Sequence, residues 1–501
     1  MINTINAVTI RKRWKNYVHD QEAHPLKYFK PTTLGELVTI VQDAEQKNYT
    51  VKAVGSGHSS SDIALCRDYM VGTHGLNHEL DISALSLSEQ GVKQAGNLCF
   101  VECGIRVKAL NKLLQNKNKA LINMGAYDGQ TIAGVISTST HGSGMTLGSL
   151  SSFLKAVVLV GEGGVIYHIE PSAATAISKS AVQLSGFPNI TFIQDDDHFN
   201  AVGVNIGCMG IIYAVVIEIM DSYFLMENRK FSCWKDVKPL LENRELLNNN
   251  RHLEVLVSAY KNKENDYTCM VTERNIVPPR KSGPIIPRGH RKIIYEIILR
   301  IVPDFILDAI MRTIINRLPK LIPWMAKLLI NSLTDKDYID RSFRVLNLGR
   351  ANNLSAYATE IAFPSNKFID ATEAILQIVH KSVEEGMQYL SAPFSLRFVK
   401  TNHFFLSMQY GQENDFVCMI EFPTVNRSVG GMEMLSRIEA AMYAFGGIPH
   451  WGQVNHIGGH SDARLDKLYP RYHDWMNVYK HYCSKGTFQN DFSRRAGIEI
   501  C

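Results

Sequence analysis

Thr50-Val51-Lys52-Ala53-Val54-Gly55-Ser56-Gly57-His58-Ser59 decides how this chain is read. Thr50 to Val54 alternates as a short strand does, and Gly55 and Gly57 then let the backbone turn tightly enough to close around a phosphate-bearing group. Ser61 and Asp62 suit the cap of the next turn, so His58 falls at a strand-to-loop exit, where α/β folds place ligand contacts. Taken alone, a histidine after two glycines is a turn residue.

Two further glycine segments change its meaning. Gly125 to Gly144 (GAYDGQTIAGVISTSTHGSG) is built of small and hydroxyl residues with almost no charge, and offers backbone N–H groups and hydroxyls at close range. A flexible linker is the alternative, but Ile132, Val135 and Ile136 are apolar anchors that linkers rarely carry. Gly203-Val204-Asn205-Ile206-Gly207-Cys208-Met209-Gly210 leads into the β-branched run Ile211 to Ile219, a glycine turn feeding a buried strand. None of the three matches GxGxxG between a strand and a helix, which disfavours a Rossmann domain.

A chain of 501 residues, 45% hydrophobic, can bury a large core in two domains. The net charge of +5 is small for this length and lacks the basic stripe of a nucleic-acid binder. Nine cysteines without a CxxC pair give no disulfide framework and point to a reducing compartment. The first residues show no secretory signal, so an intracellular protein is expected, cytoplasmic or peripherally membrane-associated. His456 and His460 follow His450 closely, but no carboxylate stands at ligand spacing, and no metal site is expected.

The glycine clusters and strand-like runs occupy residues 1–222, read as the cofactor domain. From 223 to 501 longer strands alternate with amphipathic helices such as 370–379, which suits a sheet covered by helices. Residues 291–331 form an apolar insertion interrupted by Arg300, Arg312, Arg317, Lys320 and Lys327, too charged for a spanning helix. Amphipathic helices jointed at Pro303, Pro319 and Pro323 fit better; such a surface can lie in a membrane interface, or pack over the sheet or against a second subunit.

In order and spacing, the three glycine segments resemble those of the vanillyl-alcohol oxidase (PCMH) type of flavoprotein, and within it the sugar-1,4-lactone oxidase branch of gulonolactone, arabinonolactone and alditol oxidases. Trp14-Lys15-Asn16-Tyr17, Pro31 to Leu37, Pro449-His450-Trp451-Gly452 and Phe488-Gln489-Asn490-Asp491-Phe492 are similar to further motifs of that branch. The resemblance implies an α+β chain, with a two-subdomain PCMH-type FAD-binding domain before a substrate domain whose antiparallel sheet is covered by helices. It implies FAD bonded covalently to His58; a neutral imidazole is a competent nucleophile near neutral pH. Val54, Gly55, Ser56, Gly57 and Ser59 would meet the pyrophosphate, Gly125, Ala126, Thr131, Gly134, Thr138 and His141 the second cofactor segment, Ile212 the adenine half, and Asn490 the cofactor site from the C-terminal motif.

An oxidase of this kind needs a group to receive or polarise the substrate hydroxyl proton and positive charge beside the reduced flavin. The family supplies a Glu-x-Arg pair and a Lys after His-Trp-Gly; here the first reads Ser395-Leu396-Arg397 and the second ends in Gln453. Arg397 is therefore the expected electrostatic partner, with Glu360, His403 and Glu421 as candidate bases and His450 and Gln453 at the site. The resemblance implies oxidation of a CH–OH group of a lactone or polyol. Gly125, matching the oxidase members rather than the Ala of plant dehydrogenases, implies O2 as acceptor and peroxide as product. Ser395 and Gln453 leave open a less polar alcohol such as a sterol, another electron acceptor, or a flavin-binding, membrane-associated protein without turnover.

Overall fold

The computed structural model describes residues 8–10, 12–278, 304–332, 337–347, 356–459 and 461–500. Among them the chain is α+β, as expected. The first sheet orders Val8–Ile10, Lys27–Phe29, Tyr69–Gly72 and Val51–Val54, with the last three parallel to one another. Parallel strands need a crossover, and the helix Leu34–Gln46 supplies it. Thr33 caps this helix by accepting from the Glu36 N–H, Glu36 accepts in return from the Thr32 N–H, and Leu34, Leu37, Ile40, Val41 and Ala44 form its buried stripe. The helix thus delivers the chain to Val51–Val54, whose end releases the Gly55–Ser59 loop.

The second sheet orders Thr191–Gln194, Ile166–Glu170, Leu154–Val160, Ile211–Asp221 and Leu98–Glu102, with Lys119–Leu121 also paired to Ile211–Asp221. Leu154–Val160 and Ile211–Asp221 are nearly continuous apolar runs and sit at its buried centre.

The third sheet has eight strands in the order Tyr338–Arg341, Phe224–Cys233, Tyr267–Val277, His252–Lys261, Phe394–Lys400, Phe416–Val425, Ala356–Pro364 and Ile448–Pro449, every neighbouring pair antiparallel. Its side chains obey the period of two. Val255, Leu396, Ile420 and Ile361 stand in register on one face and pack with the helices Trp234–Glu242, Phe368–Glu384 and Gly431–Met442. Leu256, Ser395, Glu421 and Glu360 stand in the next row on the opposite face, and Glu254 pairs with Arg397 on that same face, two rows away across the Val255–Leu396 row. That second face looks toward the first two sheets and carries the polar groups.

Of the 291–331 insertion, the structure describes the helices Asp304–Arg317 and Ile322–Ser332, joined by a turn at Pro319–Leu321. Pro319 and Pro323 stand at the joint as expected, whereas Arg300 and Pro303 lie outside the described residues. No helix among the described residues is long and apolar enough to cross a membrane. Ile315, Ile322, Ala326 and Ile330 are buried, while Leu318, Leu321 and Trp324 are exposed.

Candidate active site

A cavity of ≈ 560 Å³ lies between the polar face of the eight-stranded sheet and the glycine segments of the first half. Val54, Gly55, Ser56, Gly57, His58 and Ser59 line it, as do Gly125, Ala126, Thr131, Gly134, Thr138, His141 and Ile212 from the first half and Glu360, Arg397, Glu421, His450 and Gln453 from the second. Two expected residues do not. His403 is exposed, just past the end of the Arg397 strand. Asn490 is buried; its Nδ2 donates to the carbonyls of Ile63 and Leu65 while its Oδ1 caps the helix Asp491–Arg495, so it ties down the loop that follows His58.

The glycine segments approach each other closely. A Cβ on Gly55 would overlap the Thr131 side chain, and Gly57 turns with φ +69° against the Trp14 ring, a conformation glycine adopts without steric cost. The N–H groups of Ser56, Gly57, His58 and Ser59 donate to no described residue. Successive free amides in a turn form an anion-binding concavity. His58 stacks on Tyr127 with ring centroids 4.0 Å apart and planes 13° from parallel, and Tyr17 lies 4.8 Å away on a tilt. Burial pushes its imidazole down to about 4, so it is neutral at pH 7, and its Nδ1 has no hydrogen-bond partner.

The C-terminal motif is fastened to this loop. The Ser60 N–H donates to Gly452 O, Ser61 Oγ donates to Trp451 O, and Trp451, fully buried, donates from Nε1 to Leu406 O. His450 Nδ1 accepts from the Gly452 N–H at 2.9 Å, which leaves its ring proton on Nε2. Burial holds His450 down at about 4, against the attraction of Glu360.

Arg397 sits between two carboxylates. Its Nη2 donates to Glu360 Oε1 at 2.9 Å and to Glu421 Oε2, while its Nε remains buried without a partner. Glu360 Oε2 also faces His141 Nε2 at 3.2 Å. His141 Nδ1 lies 2.8 Å from the Gly142 carbonyl and donates there. Burial alone would raise the Glu360 carboxyl, but His141 and Arg397 outweigh it and hold it well below the usual carboxylate range. Glu421 moves the other way: burial and the neighbouring Glu360 push it up, and Arg397, already shared, pulls it back only in part. Gln453 Nε2 donates to Glu421 Oε1 at 3.1 Å, and Gln453 Oε1 and Ser395 Oγ are left unpartnered.

The carboxylate absent at position 395 thus has a counterpart directly across the strand pair, because Ser395 and Glu421 are register partners. Glu254 continues the charged row through Arg274 to Glu227, at 3.2 and 2.8 Å.

Sequence reading passed over Lys52 and Glu254. Lys52 is buried at the cavity wall, donates to Gly207 O at 2.8 Å and makes no ion pair among the described residues; a lysine in an otherwise apolar strand was the available signal. His456 pairs with Glu439 at 2.8 Å, and no cluster able to hold a metal occurs among the described residues.

Cavity size, free loop amides, a close glycine–threonine contact and orphaned polar atoms (His58 Nδ1, Asn205 Nδ2, Arg397 Nε) fit a large cofactor carrying a pyrophosphate. Comparisons with known proteins agree. Residues 25–170 match the FAD binding domain model and residues 215–496 the D-arabinono-1,4-lactone oxidase model. The L-gulono-1,4-lactone dehydrogenase of Mycobacterium tuberculosis is 24% identical over 489 residues, covering 96% of this chain and 98% of that protein. The L-gulonolactone oxidase of Mus musculus is 24% identical over 486 residues (96% and 97%), and the D-arabinono-1,4-lactone oxidase of Kluyveromyces lactis 26% over 271 (54% and 46%). Among solved structures, the cholesterol oxidase from B. sterolicum superposes with a TM-score of 0.75 over 98% of this chain and 97% of that one at 12% identity, a likeness of fold. With an FAD-binding domain leading into a lactone-oxidase module that spans more than half its length, the chain belongs to the D-arabinono-1,4-lactone oxidase family of FAD-dependent oxidoreductases acting on CH–OH groups.

Proposed function

We propose that the protein oxidises a CH–OH group of a sugar-1,4-lactone of the D-arabinono-1,4-lactone kind, with O2 as acceptor and H2O2 as product. The observation that carries this reading is the Glu360–Arg397–Glu421 cluster, set into the wall of the cavity that also holds the His58 loop. A buried guanidinium bracketed by carboxylates suits a substrate dense in hydroxyls, because removing any one hydroxyl would leave a charged partner unpaired.

Bound FAD supplies the two-electron acceptor for the carbinol hydrogen. Val54 to Ser59 and the Gly125–His141 segment hold it, and Lys52 contributes positive charge at the wall. Glu421 accepts the hydroxyl proton: its raised carboxyl is a better-matched base than Glu360, whose carboxyl is depressed and tied to His141. Arg397 orients both carboxylates and holds the substrate oxygen, and Gln453 keeps Glu421 facing the cavity. The neutral Gln453 leaves Glu421 without a second cation, which favours the same assignment.

His58 carries the cofactor covalently in this reading. Such an attachment would hold FAD by an N–C bond from the His58 imidazole in place of an imidazole N–H and a methyl C–H, with O2 as the class of oxidant that would take up the two electrons and two protons released. Neutrality of His58 and its unpartnered nitrogen support the step. Glycine at 125 supports oxygen as acceptor, since a Cβ there would stand 3.1 Å from the His141 carbonyl and narrow the wall. Exposed Leu318, Leu321 and Trp324 beside Arg317 and Lys320 support a peripheral membrane contact.

A panel of aldonolactones, alditols and a sterol, followed for peroxide and for dye reduction in parallel, tests the reading. Lactone-dependent peroxide formation is expected; turnover of the sterol alone, or no bleaching of the flavin by any compound, would overturn it.

A further inference from the structure

We propose that the chain carries a second ligand site, a basic pocket that takes a phosphate dianion or pyrophosphate group, on the outer side of the wall formed by Gly55, Ser56 and Thr131. The pocket is ≈ 250 Å³, lined by Lys12, Arg13, Lys15, His74 and Arg106 together with Trp14 and Tyr28. At ~30 Å³ per water it has room for several solvent molecules, and no carboxylate lines it.

The positive charge there is largely uncompensated. Glu22 is the acid in reach, and it engages Arg13 at 2.6 Å and Lys15 at 3.4 Å. Lys12 lies 3.7 Å above the Tyr28 ring and makes no ion pair among the described residues, nor do Lys30 and Arg106. The cations are close enough to disfavour one another. Burial and then Lys30, Lys12 and Arg106 push His74 down, and burial and then Lys30 push Lys12 down.

A solvated basic face spreads its side chains apart; here they converge on a concavity, where like charges focus potential. An anion of two or more charges relieves that repulsion and gains several charge-assisted hydrogen bonds at once. The pocket and the cofactor cavity share Trp14, Gly55, Ser56 and Thr131 as wall, where Gly55 and Thr131 approach closely. A ligand here would meet Gly55 and Ser56 of the cofactor loop directly. The site does not depend on which alcohol the enzyme oxidises.

The test is titration of the FAD-loaded protein with inorganic pyrophosphate by calorimetry at low salt, repeated with Lys12→Gln, Arg106→Gln and the double variant. One saturable site per chain is expected, weakened roughly tenfold by each substitution, the equivalent of one charge-assisted hydrogen bond, with flavin content and thermal melt unchanged. Co-sedimentation with phosphatidylcholine vesicles, with and without phosphatidic acid, tells the sources apart: loss of acid-dependent binding in the double variant assigns the group to a lipid headgroup, and no vesicle binding beside intact pyrophosphate binding assigns it to a soluble ligand. Absence of saturable pyrophosphate binding, or equal affinity in the double variant, overturns the proposal. Binding confined to flavin-free protein overturns it too, by making the pocket part of the cofactor cradle.

Discussion

Replacing Arg397 by Met keeps the stem of the side chain and removes its charge. Glu360 and Glu421 then face each other in a buried site with no guanidinium between them. Breaking a buried ion pair from one side costs about 3–5 kcal/mol, which at ~2 °C per kcal/mol lowers the melting temperature by roughly 6–10 °C. The loss should depend on pH in a defined direction. Without Arg397 the folded state raises a carboxyl pKa, so the native form binds a proton more tightly than the unfolded chain; the deficit is small at about pH 5 and full at about pH 8. Adding Glu421→Gln removes one of the two opposed charges and should restore at least about 2 kcal/mol, a coupling typical of contacting residues. It should restore no turnover, because Arg397 and Glu421 both act on the substrate in the proposed reaction, and kcat stays down by about 10²–10³ or more. Melting curves of the wild type, Arg397→Met, Glu421→Gln and the double variant across pH, with steady-state rates, provide the measurement. A deficit in Arg397→Met under about 1 kcal/mol and independent of pH, or additive behaviour in the double variant, would refute the reasoning.

Three other outcomes follow from the geometry. Gly55→Ala should cut the flavin-to-protein absorbance ratio while leaving far-ultraviolet circular dichroism intact, since the new Cβ overlaps Thr131, a residue stiff at χ1; adding Thr131→Ala should recover part of the flavin. Acid should destabilise the fold through His450 and His252, held at about 4 and about 3 chiefly by burial. Each favours the fold fully above its ordinary value of 6.5 and loses that contribution as pH falls toward the folded value, roughly 3–5 kcal/mol per histidine, so His252→Gln should flatten the acid limb of stability measured by urea titration. Gly125→Ala should lower peroxide formation roughly tenfold, ~1.4 kcal/mol of barrier, while dye reduction persists; equal losses in both assays would show that the residue does not gate oxygen.

Much of the cofactor side was legible because close backbone approach has a local sequence code. Gly55, Gly57 and the Gly125–Gly144 run are small where the two loops meet, and His58 stands among them. The catalytic side was less legible. His403 follows Arg397 closely in sequence, yet the strand ends at Lys400 and His403 itself is exposed between buried neighbours. Glu421 lies 24 residues from Arg397 and reaches it because the two strands are antiparallel neighbours. The missing glutamate at 395 read as a lost charge, since a one-dimensional motif carries no information about the residue opposite it.

The sequence by itself determined the chain's family and α+β class, through the resemblance of its motifs, and the glycine loops that line the cavity, through small residues at contiguous positions. Only the tertiary structure decided which charges share a site: cross-strand register sets Glu421 opposite Ser395, burial then drives the two carboxyls in opposite directions around Arg397, and convergence of Lys12, His74 and Arg106 on one concavity turns scattered basic residues into a pocket.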